Sequence, residues 1–189
     1  PDLTGDFAGE YMTQYRLICP CLFGLESVLA GELRRMGAQN VAAQNGKVTF
    51  TGDAYLIARA NLGLRTAERV LIELGRFRAV TFDQLFQGVR SIPFEDYIGS
   101  RSAFPVKGWA LDSKLMSVPD CQAIIKKAAV ERLKAHYRMD WFPETGALHQ
   151  LQFSIHHDEV TVMLDTSGAG LHKRGYRENA NAAPIKETL

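Results

Sequence analysis

Hydrophobic and polar positions sort the chain into two successive blocks of strands and helices. Tyr15-Arg-Leu-Ile-Cys19 alternates polar and apolar, the period of a half-buried strand. Over 25–36, Leu25, Val28, Leu29, Leu33 and Met36 recur at helical spacing, and Gly37 follows as a stop. Residues 41–44 predict a weak strand. Asn45-Gly46 is a hairpin signal because both positions tolerate positive φ, and Lys47-Val-Thr-Phe-Thr51 alternates as the return strand. Residues 55–62 predict a second helix with Asp53 as N-cap, and Arg69-Val-Leu-Ile-Glu-Leu74 a fourth strand. Strand, helix, strand, strand, helix, strand is the split βαβ, ferredoxin-like order.

The second block starts near Thr81, a candidate cap for a helical stripe of Phe82, Leu85, Phe86 and Val89. Pro93 ends that helix. Residues 103–111 predict an irregular strand, and Pro105 and Gly108 inside it point to a sheet edge or a bulge. The longest helix is predicted over 119–137, with Pro119 in its first turn and Ser117 as cap. Leu151-Gln-Phe-Ser-Ile155 and Val160-Thr-Val-Met-Leu164 alternate as a strand pair around a polar turn. No Pro/Gly/Ser linker separates the blocks near residues 75–80, so they are expected to pack together. The expected organisation is a polar leader (1–14), a ferredoxin-like domain (15–80), a second α+β domain (81–167) and a basic exit segment (168–189).

Composition narrows the class. The chain has 189 residues, room for two modest cores, and a 46% hydrophobic fraction that argues for a folded protein. No stretch is long and apolar enough for a membrane span, and no signal pattern opens the chain. Three cysteines, Cys19, Cys21 and Cys121, make no disulfide framework. They read as buried thiols in a reducing, cytoplasmic compartment. Net charge is only +1, so any nucleic-acid surface must come from local clustering.

Two clusters qualify. On the long helix, Lys126, Lys127, Lys134 and Arg138 fall within about a third of the circumference, opposite Cys121, Ile124, Ile125, Ala128, Ala129 and Leu133. Such a face could hold phosphates, or be no more than a solvated surface. His172-Lys-Arg-Gly-Tyr-Arg177 sets cations beside an aromatic side chain that could stack on a base.

Catalytic and cofactor patterns are weak. Gly168, Gly170 and Gly175 follow a strand, but no Lys-Ser/Thr completes a phosphate loop. His156 and His157 are adjacent, so on a strand they are expected to face opposite sides and share no metal ion. Asp112 and Asp120 read as a turn residue and a first-turn helix anion, and Trp109 and Trp141 as packing residues, either of which could stack on a base if partly exposed. No metal site and no catalytic residue is assigned.

Five segments in order carry a family resemblance. They are Pro20-Cys-Leu-Phe-Gly-Leu-Glu26, Asn61-Leu-Gly-Leu-Arg-Thr-Ala-Glu-Arg-Val70, the stretch from Ser113 to Ala128, Asp165-Thr-Ser-Gly-Ala-Gly-Leu-His-Lys-Arg-Gly-Tyr-Arg177, and Ala183-Pro-Ile-Lys-Glu-Thr-Leu189. Together they resemble bacterial THUMP-containing RNA methyltransferases, most of all the guanine-N2 methyltransferases of large-subunit ribosomal RNA. The resemblance implies an α+β chain in which a ferredoxin-like domain packs with a THUMP domain and positions 23S ribosomal RNA. It also implies a following Rossmann-like domain that binds S-adenosylmethionine. That domain's glycine-rich loop and its Asn/Asp-Pro-Pro-Tyr/Phe segment do not occur in the 189 residues. The methyltransferase domain is therefore expected to be absent from this chain, and the chain to bind RNA but no cofactor. Its expected partners are RNA and that missing domain, with no membrane.

The expected RNA contacts are Lys114, Gln122, Lys126, Lys127, Lys134, Lys173, Arg174 and Arg177. Cations would take phosphates, and Gln122 a phosphate or base edge. The rival from another class is a protein-interaction scaffold using Trp109, Phe94 and Tyr97. A small acyl-phosphate hydrolase is a weaker rival, because no Arg and Asn pair frames a phosphate loop.

Overall fold

The structure, a computed structural model, describes residues 13–173. The leader through residue 12 and the segment from Arg174 onward, including Arg177, lie outside the described residues.

The first block folds as β1 (Tyr15–Pro20), α1 (Glu26–Arg35), β2 (Gln39–Gln44), β3 (Lys47–Gly52), α2 (Ala54–Gly63) and β4 (Leu71–Arg78). Its strands lie in the order β2-β3-β1-β4, antiparallel throughout, which is the ferredoxin-like arrangement. Local chemistry sets the boundaries. The Asp53 side chain accepts from the Leu56 amide at 2.7 Å, capping α2. The Asn45-Gly46 turn departs from expectation: Gly46 alone takes positive φ (71°), and the Asn45 backbone does not.

The second block continues as α3 (Phe82–Arg90), a 3-10 turn (Phe94–Asp96), β5 (Val106–Leu111), α4 (Val118–Tyr137), β6 (Leu151–His156), β7 (Glu159–Asp165) and a 3-10 turn (Leu171–Lys173). Thr81 caps α3 by accepting from the Gln84 amide, and Gln84 accepts from the Val80 amide in return. Ser117 precedes α4 but makes no side-chain cap bond, and Pro119 in the first turn removes one amide that a cap would serve.

The two blocks share one sheet of seven strands, β2-β3-β1-β4-β7-β6-β5. β4 and β7 pair antiparallel from Leu71↔Asp165 to Arg78↔Glu159, with a bulge between Glu73 and Gly75. The helices cover one face, and the buried apolar residues beneath them form a single cluster from Leu17 to Leu171. Two modest cores were expected; the joined sheet merges them. Ile18, Leu71 and Met163 form a small buried cluster on the opposite face.

β5 is a sheet edge, parallel to β6 in unbroken register from Val106↔Leu151 to Leu111↔His156. Pro105 and Gly108 therefore mark an edge and not a bulge. Gly108 has a packing reason as well: a Cβ there would sit 2.2 Å from the Phe153 carbonyl oxygen. α4 runs back along β5 and is pinned to the 3-10 turn by Arg132, whose guanidinium donates two hydrogen bonds to the Glu95 carboxylate.

Both features can be tested by stability. Gly108→Ala should lower stability by roughly 1–3 kcal/mol, because the obstacle is backbone. An unchanged urea midpoint would overturn that close approach. The Arg132 hydrogen bonds hold the Glu95 carboxyl below its ordinary 4.5. The pair's stabilisation is therefore fully present above that value and is lost as pH falls below it. Glu95→Gln should be less stable than the parent at about pH 7, with the gap narrowing in acid. A gap that stays constant down to about pH 3 in denaturation curves would contradict this.

Candidate nucleic-acid interface

The described candidates divide by what already holds them. Gln122 donates to the Val106 carbonyl oxygen at 2.8 Å and so ties α4 to β5. Lys126 donates to the Phe104 carbonyl oxygen at 3.0 Å, lies 3.5 Å from the Phe104 ring centroid, and pairs with Glu144. Both side chains have intramolecular work. The helical projection put Lys126 on the cationic face, but Leu133 lies close to it around the helix, so the side chain is half-buried at the margin of the core.

Lys127 and Lys134 differ. Lys127 is exposed, with its ammonium 5.9 Å from the Phe86 ring centroid on α3. Lys134 is half-buried, and its backbone carbonyl accepts from the amides of Arg138 and Met139 at the helix end. The exposed Arg138 takes φ 54° there, a left-handed cap. Lys127, Lys134 and Arg138 form a cationic ridge on the outer side of α4.

Lys114 and Lys173 are both exposed, but at opposite ends of β7. The Lys114 amide donates to Asp158 in the β6–β7 turn, whereas Lys173 follows Leu171, whose amide donates to the Glu68 carbonyl oxygen beside β4. The seven residues of β7 separate the two sites by about 20 Å. One compact phosphate site cannot take both; an extended backbone could.

The segment after β7 has a structural role. The Asp165 carboxylate is fully buried and accepts from Arg69, from Gln152 at 3.0 Å and from the Ser167 amide at 2.9 Å. Ser167 donates to the Asn61 side chain at 2.7 Å and accepts from the Val70 amide at 2.8 Å. Thr166 donates to the Val70 carbonyl oxygen at 2.7 Å. Two of the family-like segments thus meet, residues 61–70 and the start of the segment after β7 (165–167), and fasten one block to the other.

Other expectations change. Trp109 (49% exposed) and Trp141 (78%) are surface residues and not packing residues. Phe94 is fully buried, so the scaffold surface of Trp109, Phe94 and Tyr97 is not assembled. All three cysteines are buried, and burial pushes the Cys21 thiol up to about 11. His156 and His157 do not face opposite sides: their ring centroids lie 4.0 Å apart. The alternation rule fails because His157 and Asp158 both take positive φ (51° and 63°) in the hairpin turn. The Lys114 amide bonding to Asp158 holds that carboxyl below its usual range. A surface aromatic that sequence reading missed is Phe23, 83% exposed. Its loop is stapled by Glu26, which accepts from the Gly46 amide at 2.9 Å and the Gly24 amide at 2.8 Å. The sequence signal for it was its place in the family-like segment Pro20–Glu26.

The fold and surface define a class, a ferredoxin-like unit continued by a second α+β unit on the same sheet with a cationic helix outside. The RlmL ferredoxin-like domain family matches residues 16–71, and the THUMP domain family matches 79–165. The chain belongs to the THUMP-containing proteins that carry an RlmL-type ferredoxin-like domain. It is 47% identical over 94% of its length to YpsC of Bacillus subtilis, which bears the provisional name of an RNA methyltransferase. It is 33% identical over 93% of its length to the ribosomal RNA large subunit methyltransferase K/L of Magnetococcus marinus. A solved Listeria monocytogenes structure, described as a predicted N6-adenine-specific DNA methylase, is 51% identical with a TM-score of 0.89 and covers 93% of the chain. The chain spans 46% of YpsC, 24% of the K/L protein and 46% of the Listeria chain.

The partition of lysines is testable by stability. Lys126→Ala should cost about 1–2 kcal/mol, because it removes a hydrogen bond and a cation–ring interaction. Lys127→Ala should stay within about 0.5 kcal/mol. Equal costs in thermal denaturation would show that the Lys126 interactions are not structural.

Proposed function

We propose that this chain is the RNA-docking part of an RNA methyltransferase. In this reading, residues 15–80 and 81–167 form one rigid platform that presents structured RNA to a catalytic domain. The observation that carries the reading is the ordered pair of family matches together with likeness to a K/L ribosomal RNA methyltransferase along almost the whole chain. The finer reading is guanine-N2 methylation of 23S ribosomal RNA in the cytoplasm. S-adenosylmethionine would be bound by the catalytic domain of the parent protein and not by the platform. The likeness to a protein described as a DNA methylase does not outweigh this, because the K/L relative is named for ribosomal RNA.

The geometry supports an extended interface. The outer ridge of α4 offers Lys127 and Lys134, and Lys114 and Lys173 extend the reach to either end of the sheet. Arg174 and Arg177 belong to the same proposal through their place in the sequence. Lys126 and Gln122 shape the ridge through their hydrogen bonds to Phe104 and Val106. Those internal bonds take part of their donor capacity, so they are weaker candidates for RNA contact than Lys127 and Lys134.

The test is binding to ribosomal RNA fragments across a salt series. Replacing Lys127 and Lys134 by Ala should weaken binding and flatten the salt slope by about 0.7 for each single-strand phosphate left without its cation. The melting temperature should barely move, since neither ammonium is tied into the core. An unchanged slope would remove α4 from the interface.

A further inference from the structure

The β6–β7 turn and the end of β5 bring together three donor groups that the proposed RNA platform does not use. Parallel register sets Leu111 beside His156, so Asp112 follows next to the end of β6. The turn then swings His157 back beside His156. One ligand atom from each of Asp112, His156 and His157 lies within 4.8 Å of the others, and all three residues are exposed. We propose that Asp112, His156 and His157 form a site for a divalent transition metal ion of borderline softness, with Zn²⁺ as the probe.

The donor set suits such an ion. Two imidazole nitrogens and a carboxylate oxygen are ligands for Zn²⁺ at about 2.0–2.2 Å. A tetrahedral ion at that range spaces its donors about 3.4 Å apart, so a side-chain rotation of about an ångström closes the set. Three protein ligands leave a fourth position for water or an anionic oxygen.

The supporting structure is built independently of the ligands. The backbone amide of Lys114 donates to Asp158 at 2.8 Å, the Ser113 hydroxyl donates to it at 3.0 Å, and the Ala79 amide bonds the Asp158 carbonyl oxygen. The turn is therefore clamped from β4 and from the strand-to-helix connection. The Asp112 carboxylate and both imidazoles are not used in that clamp; the two rings pair with each other, and His156 also lies beside Trp109. Asp112 and His157 also hold positive φ (47° and 51°), a conformation that disfavours most side chains. Asp and His are, with Asn, the non-glycine residues that adopt it most often.

Positive φ gives the test a clean variant. Asn tolerates that conformation, so His157→Asn and Asp112→Asn remove a ligand without straining the fold. The metal-stripped 189-residue chain is titrated with Zn²⁺ by calorimetry. The expected result is a single saturable site of micromolar affinity, weakened at least about ten-fold in each variant with an unchanged melting temperature. A second readout is fluorescence: the Trp109 ring lies 6.2 Å from His156, so Cu²⁺ should quench it in the parent and not in His157→Asn. No saturable binding at millimolar Zn²⁺ would overturn the site. Binding that the variants leave intact would overturn it equally, by placing the metal elsewhere.

Discussion

The pairing of β4 with β7 is the constraint on which the rest of this structure depends. A four-stranded ferredoxin-like sheet ends at β4, and a three-stranded sheet begins at β7. Their antiparallel ladder runs the length of both strands and turns two exposed edges into an interior. The helices of both blocks then lie on one continuous face and share one apolar core. At one end of this ladder stands the buried Asp165 carboxylate, satisfied by Arg69, Gln152 and Ser167. A buried carboxylate is tolerable only with such full pairing, and removing one partner leaves its desolvation cost uncompensated. This ties the junction to one arrangement of the two blocks through the continuous β4–β7 ladder.

Much of this was legible in sequence, and the reason is locality. The order of elements, the Asp53 and Thr81 caps and the edge position of β5 follow from period, capping chemistry and Pro/Gly placement within a few residues. The seven-stranded sheet was not legible, because strands far apart in sequence pair through backbone groups that carry no residue-specific mark. The same limit explains Lys126 and Gln122. Helical projection set Lys126 opposite a core that Leu133 in fact brings close to it, and residue type could not show that Phe104, Val106 and Glu144 would meet Lys126 and Gln122. Lys127, one residue on and about 100° round the helix, stayed free of the sheet. Composition had the same blindness: a net charge of +1 hides how many cations are engaged in internal pairs such as Arg69–Asp165 and Arg132–Glu95.

The departures from local rules are not scattered. Asn45-Gly46 looked like the turn with two positive φ values, yet that geometry belongs to His157-Asp158. Among the described residues, the non-glycine residues at positive φ other than Asn40 fall at two places: Asp112, His157 and Asp158 around the β6–β7 turn, and Arg138 and Glu144 after α4. A left-handed conformation costs most side chains roughly 1 kcal/mol, less for Asp and His, and surrounding interactions offset it. Those interactions are on hand: Lys114, Ser113 and Ala79 bond Asp158, and Lys126 pairs with Glu144. Strain that the surroundings over-determine is where function concentrates. In this chain the two strained places border the cationic ridge of α4 at its beginning and its end. Lys126 links ridge and strain, since the charge that sequence reading assigned to a ligand instead holds the strained loop in place. The ridge can then present Lys127 and Lys134 from a helix whose ends are both anchored.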